Sequence, residues 1–271
     1  MNNPSYIAII VEGTDREPQI IQNMLSIYFK LERFKIISFP ADQNIYMLWN
    51  LLQKDDFETD LIEVIREYSP CAAATLGDLT RSDFSEIYLF FDYDGHQNNL
   101  PQNSNITADN VLREMLETFD NETDLGKLYI SYPMVEALRD FIPTQCTPAT
   151  SCFWSLDNVG NYKHDTGVKS SYPNILHYRH PDWCAIINVF AMRLSCLFHE
   201  SNVLSFEDYR RRIFPLSIYE QQAEHILRRE VFVLSAFPEF LLDYFRVDFW
   251  RSIIQYANLR PGVCGYRYHS S

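Results

Sequence analysis

The chain has 271 residues, of which 46% are hydrophobic, 15% aromatic and 22% charged, with only 8 glycines. This is the composition of a folded globular protein, and it excludes disordered and collagen-like chains. The formal charge of −13 is uneven: residues 1–150 carry 24 acidic and 10 basic side chains, net −14, whereas residues 151–271 carry 12 and 13, net +1. An evenly spread charge of that sign would repel a polyanion, so the acidic half reads either as a partner-facing surface or as the seat of a carboxylate-rich metal site.

Tyr6–Val11 (YIAIIV) is a continuous β-branched run that stops at Glu12-Gly13, the pattern of a central parallel strand buried on both faces. Ile20, Ile21, Met24, Leu25 and Tyr28 then recur at helical spacing, with Pro18 placed in the first turn. Phe34–Phe39 reads as a second strand, and Ile45–Leu52 and Leu61–Tyr68 as helices separated by the acidic DDFETD segment. Glu86–Phe91 (EIYLFF) is another apolar strand, leaving through Asp92-Tyr93-Asp94-Gly95 into a polar loop over 96–105. Val111, Leu112, Met115, Leu116 and Phe119 form a helical stripe, followed by a strand over Lys127–Ser131 and a short helix around Met134–Phe141. Alternating strands and helices predict an α/β core with a mainly parallel sheet flanked by helices.

Beyond Pro143 a stretch rich in Cys, Thr, Ser and Asn has no clear period as far as Pro181. The remainder reads as helices over Trp183–Phe198, Phe206–Phe214, Ile218–Arg229, Val231–Phe237 and Glu239–Tyr256, punctuated by Pro215 and Pro238. Two domains follow from this change of character, 1–145 and a mostly helical 146–271. The six cysteines include no CxxC pair and are read as reduced thiols in a cytoplasmic protein. The amino-terminal residues lack the basic start of a secretory signal, and no apolar stretch approaches a membrane span.

Two carboxylate groups end the two most apolar strands: Glu12 after the first, Asp92 and Asp94 after the second. Ligand sites in parallel sheets form beyond the carboxyl ends of the strands, so three acids are expected to face one crevice. Close carboxylates repel one another, and a hard divalent cation, Mg²⁺ or Mn²⁺, resolves that repulsion. The chemistry that suits such a site is phosphoryl transfer.

At these residues the sequence resembles the TOPRIM family, the catalytic domain shared by topoisomerases, bacterial primases, ribosomal-RNA maturases and the overcoming-lysogenisation-defect nucleases. The likeness rests on the strand ending in Val11-Glu12-Gly13 and, about 80 residues later, the strand ending in Asp92-Tyr93-Asp94. It implies a TOPRIM-like fold over residues 5–142, with Glu12, Asp92 and Asp94 as metal ligands and Glu12 alternatively as a general acid or base. Many family members carry another acid four residues after the first Glu; here that position is Arg16, and the flanking Asp15 and Glu17 take its place as candidates for a second ion. In nuclease members a downstream acid and a lysine assist; the corresponding candidates are Glu136 and Lys169 or Lys163. The resemblance further implies a DNA or RNA substrate, transfer RNA included, and an anti-phage role of the PARIS kind beside a separate ABC-type ATPase, since this chain has no phosphate-binding GxxxxGK[ST] loop of its own. The helical carboxyl-terminal region would then select substrate, dimerise or dock the ATPase.

Two other readings stand beside this one. FFDYDG also matches the DxDG of a haloacid-dehalogenase-like phosphohydrolase, with Asp92 as nucleophile and Asp94 as acid/base, although that reading gives Glu12 no task. A non-catalytic assembly subunit would use the acidic half to bind a basic partner. His177, His180 and Cys184 match no standard zinc spacing and read as structural or surface residues. Arg210, Arg211, Arg212, Arg228 and Arg229 read either as phosphate contacts or as a solvated or protein-facing surface. The aromatics from Phe232 to Trp250 read as helical core.

Overall fold

The structure is a computed structural model that describes residues 6–30, 33–39, 45–54, 56–93, 108–140, 152–170, 174–200 and 202–254. The chain divides into two compact units between Tyr129 and Ile130. The domain boundary expected near residue 145 falls outside the described residues.

The first unit is built around β1 (Tyr6–Glu12). Its residues Ile7–Val11 are completely buried, and this is why the run is apolar at every position rather than at alternate ones. β1 pairs in parallel with β2 (Phe34–Phe39) on one side and with β3 (Phe84–Asp92) on the other. β5 (Gly126–Ser131) lies beyond β3, and the two-residue β4 (Asp120–Asn121) pairs antiparallel with β5 at the edge. The sheet order is therefore β2-β1-β3-β5-β4. The chain leaves β1 toward β2 and later returns to the opposite side of β1, which makes the β1/β3 boundary the point where the winding reverses.

α1 (Arg16–Tyr28) makes the first crossover and buries Ile20, Ile21, Met24 and Leu25, the four positions of its apolar stripe. α2 (Ile45–Gln53), α3 (Leu61–Tyr68) and α4 (Pro70–Leu76) occupy the second crossover. Asp60 caps α3 by accepting from the amides of Ile62 at 2.8 Å and Glu63 at 3.1 Å. The Ser69 hydroxyl accepts from the Ala72 amide to start α4 and donates to the carbonyl of Ser38 in β2, tying that short helix to the strand. α5 (Ala108–Thr118) precedes β4 and buries Val111, Leu112, Met115 and Leu116. The core of this unit is an α/β arrangement with a mainly parallel sheet flanked by helices.

The second unit is mostly helical: α6 (Val159–Lys169), α7 (His180–Leu197), α8 (Phe206–Arg212), α9 (Pro215–Leu227) and α10 (Ala236–Ile254). Pro215 opens α9 and Pro238 lies in the first turn of α10, where a missing N–H costs nothing. α10 is bent at Arg246, whose φ of 61° and ψ of −150° break the helical path.

Three parts of this unit differ from the sequence expectation. Val231–Phe237 is not a helix. Glu230–Phe232 forms β7, which pairs antiparallel with β6 (Phe153–Ser155), and α10 begins at Ala236. The completely buried Gln222 of α9 holds β7 from the side, its amide donating to the Phe232 carbonyl and accepting from the Phe232 amide, both at 2.8 Å. The second difference is α6, a helix inside the stretch without apparent period. Third, the short helix expected around Met134–Phe141 is a single 3-10 turn over Val135–Leu138. Among the described residues no helix is long and apolar enough to cross a membrane.

Candidate functional site at the β1 and β3 strand ends

Glu12 closes β1 and Asp92 closes β3, and both side chains are half-buried. The sheet register pairs Val11 with Phe90, so Asp92 lies one residue further along its strand than Glu12 does along its own. The two side chains consequently do not form a cross-strand pair. Glu12 instead turns its Oε2 to the backbone amide of Asp92 at 3.4 Å, a long hydrogen bond that nevertheless joins the two strand ends across 80 residues of sequence.

The turn leaving β1 adds a second acid. Gly13 has φ +89°, a left-handed conformation that residues with a Cβ adopt only at a cost. Above it lies the carboxylate of Glu17: a Cβ at position 13 would stand 2.8 Å from Glu17 Oε2. Glu17 occupies the first turn of α1, where the helix dipole favours negative charge. Asp15 is the residue preceding α1; it is exposed and makes no side-chain capping bond. Glu12, Glu17 and Asp92 thus belong to one turn and the adjoining strand end, while Asp94 lies outside the described residues. All the donors concerned are carboxylate oxygens, the chemistry that suits Mg²⁺ or Mn²⁺. Among the described residues, no three His, Cys, Asp or Glu side chains approach closely enough to hold a metal ion by themselves.

Glu136 belongs to the second unit. It is almost fully buried in the 3-10 turn, and its Oε1 lies 3.7 Å from Nζ of Lys163 on α6. Lys163, one of the two lysine candidates, is thus placed beside this acid; Lys169 ends α6, and its side chain lies outside the described residues. The same turn supplies two charged residues that the sequence reading passed over. Arg139, buried, donates from Nε to Thr166 Oγ1 at 3.2 Å and from Nη2 to the Lys163 carbonyl. Asp140 accepts from the Tyr162 hydroxyl at 2.9 Å and pairs with Arg193 at 3.5 Å. Burial, then the negative charge of Asp140, push the Tyr162 hydroxyl well above its ordinary pKa, so it stays a donor. The available signal was Arg193 itself, a single charge among the apolar residues of AMRLSCL, which implies a buried partner.

The arginines weighed as phosphate contacts are each matched by a carboxylate: Arg210 by Asp243, Arg211 by Asp208, Arg212 by Glu200, Arg228 by Glu224 and Arg229 by Asp157. Cys184 approaches the His180 ring at 3.5 Å within one turn of α7. Comparison with family models, with curated proteins and with solved structures gives no match for this chain.

Proposed function

We propose that the chain is a divalent-metal-dependent TOPRIM nuclease acting on DNA or RNA phosphodiesters. The observation that carries the reading is the meeting of Glu12 and Asp92 at the winding reversal of a parallel sheet, the place where open α/β folds bind ligands. Glu12, Asp92 and Asp94 would hold a Mg²⁺ or Mn²⁺ ion, with Asp15 and Glu17 as the acids nearest in sequence for a second. When bound, such a metal activates a water and stabilises charge on the leaving oxygen. The chain's own contribution is positional. The Asp92 amide orients the Glu12 carboxylate, and the missing side chain of Gly13 leaves room for the Glu17 carboxylate over the turn. The resemblance gives Glu136 and a lysine, Lys169 or Lys163, an assisting role, and the 3.7 Å approach of Lys163 to Glu136 supports Lys163 in it.

The setting we propose is the effector of a bacterial anti-phage system controlled by a separate ABC-type ATPase. The acidic first half, net −14, and the pairing of Arg210, Arg211 and Arg212 with carboxylates in the second support dependence on a partner, because both weaken the attraction of this chain for nucleic acid. The test is cleavage of plasmid DNA and total RNA with Mg²⁺ or Mn²⁺, with and without the products of neighbouring genes. Glu12→Ala and Asp92→Ala/Asp94→Ala should each abolish cleavage while leaving the fold intact. Full activity in either variant overturns the reading.

A further inference from the structure

The aromatics of α10, read from sequence as helical core, divide in two. Phe237, Phe240 and Trp250 are buried, whereas Tyr244, Phe245 and Phe249 are only half-buried, beside the exposed Arg246, Asp248 and Arg251. The Phe245 and Phe249 rings lie 4.8 Å apart and 30° from parallel, one on each side of the bend at Arg246. Around them the chain runs Asp243-Tyr244-Phe245-Arg246-Val247-Asp248-Phe249-Trp250-Arg251, a segment that is its own complement when reversed about Val247. Arg246 is reflected onto Asp248, Asp243 onto Arg251 and Phe245 onto Phe249, so each charge falls on its opposite and a ring on its like. Within one chain these charges do not satisfy each other. Residues two apart on a helix do not face one another, and neither Arg246 nor Asp248 has a hydrogen-bond or ion-pair partner among the described residues.

We propose that this part of α10 binds a second copy of the chain, the two segments lying antiparallel about a two-fold axis at Val247, with Phe245 of one protomer against Phe249 of its partner. A two-fold interface sets residue i on j and j on i, the relation that the segment's reversal symmetry meets. Parallel copies would instead set Arg246 on Arg246 and Asp248 on Asp248, like charge on like. A nucleic acid is the poorer occupant, because Asp243 and Asp248 balance Arg246 and Arg251, and a polyanion needs an excess of positive charge. The half of the chain that carries α10 has net charge +1, so copies approach through it without the repulsion of the acidic half. Asp243 already meets Arg210 at 3.1 Å. The contact of Arg246 with Asp248, made twice by symmetry, therefore carries most of the polar specificity, and the paired rings supply the apolar anchor. The bend at Arg246 confines the contact to the residues about Val247, which makes the interface small and the dimer weak.

Sedimentation velocity of the full chain over about 1–200 μM should show the mass rising from 32.0 kDa toward twice that value, with a Kd on the order of 10 μM. Arg246→Asp and Asp248→Arg should each weaken association about tenfold, because two symmetry-related attractions become repulsions. Both positions are exposed, so circular dichroism should show each variant folded. An equimolar mixture of the two variants should regain the wild-type affinity: the introduced acid of one chain then faces the introduced base of the other, and the native pair forms on the opposite side of the axis. No change confined to a single chain gives that rescue. The proposal is overturned if the wild type stays at 32.0 kDa throughout, if either variant associates as the wild type does, or if the mixture associates no better than its parts. It is equally overturned by a monomer that binds an oligothymidylate probe and loses that binding on Phe249→Ala, a result that assigns the ring pair to base stacking.

Discussion

Gly13→Ala is the most informative single perturbation of the candidate site, because it separates backbone strain from displacement of an acid. At φ +89° an added Cβ carries about 1–2 kcal/mol of strain. Loss of glycine's freedom in the unfolded chain returns about 0.4–1 kcal/mol, leaving a net destabilisation of about 1 kcal/mol. The Cβ would also stand 2.8 Å from Glu17 Oε2. That atom is the far end of a flexible side chain, so Glu17 swings away at little cost to stability while leaving its place over the turn that follows Glu12. Gly77 is the reference: its φ is +54°, and nothing lies within 4 Å of a Cβ there. Urea unfolding followed by circular dichroism should therefore give similar losses for Gly13→Ala and Gly77→Ala, whereas cleavage should fall at least about tenfold in the first and not in the second. A Gly13→Ala protein with undiminished stability and full cleavage would refute both the strain argument and the placement of Glu17 in the site.

Two further outcomes concern the second unit. Gln222→Leu leaves the buried N–H and C=O of Phe232 without their partner; at about 1–3 kcal/mol for each group, partly offset by the leucine's own burial, thermal unfolding should show a loss of about 3 kcal/mol, and an unchanged midpoint would contradict the two-bond description. His225, packed against Phe153 and Phe232, has its pKa lowered from 6.5 by burial and then by Arg228. The folded state resists a proton that the unfolded chain accepts, so this residue's contribution to stability falls as the pH drops below about 6.5. Stability measured from about pH 7 to 5.5 should decline less steeply in His225→Asn than in the wild type, and equal slopes would show that His225 does not titrate differently on folding.

The first unit was more legible in sequence than the second, for a physical reason. Strands buried on both faces must be apolar throughout, and YIAIIV and EIYLFF could hardly be anything else. Their ends then located Glu12 and Asp92 without structural help. The strand β7 was misread because a short apolar run is compatible with either period; what makes it a strand is Gln222, eight residues before β7 begins and invisible to any local pattern. Helix α6 was missed because Gly160, Gly167 and its polar residues hide the stripe: it is held by Arg139 through Thr166 and the Lys163 carbonyl rather than by apolar periodicity. The Glu136–Lys163 pair joins residues 27 apart, a separation no local pattern reveals.

The position of β1 has a consequence for the birth of the protein. Its two sides are completed at different times, first by β2 and only much later by β3, and Asp92 emerges 80 residues after Glu12. At ~5–20 residues per second the ribosome takes about 4–16 s to cover that interval. During it Ile7–Val11 offers an open hydrogen-bonding edge to any neighbouring chain, and the strand ends that form the candidate site do not yet face each other. A truncated or stalled product therefore carries an unpaired strand edge, and the Glu12 carboxylate reaches the Asp92 amide only once β3 has closed the sheet.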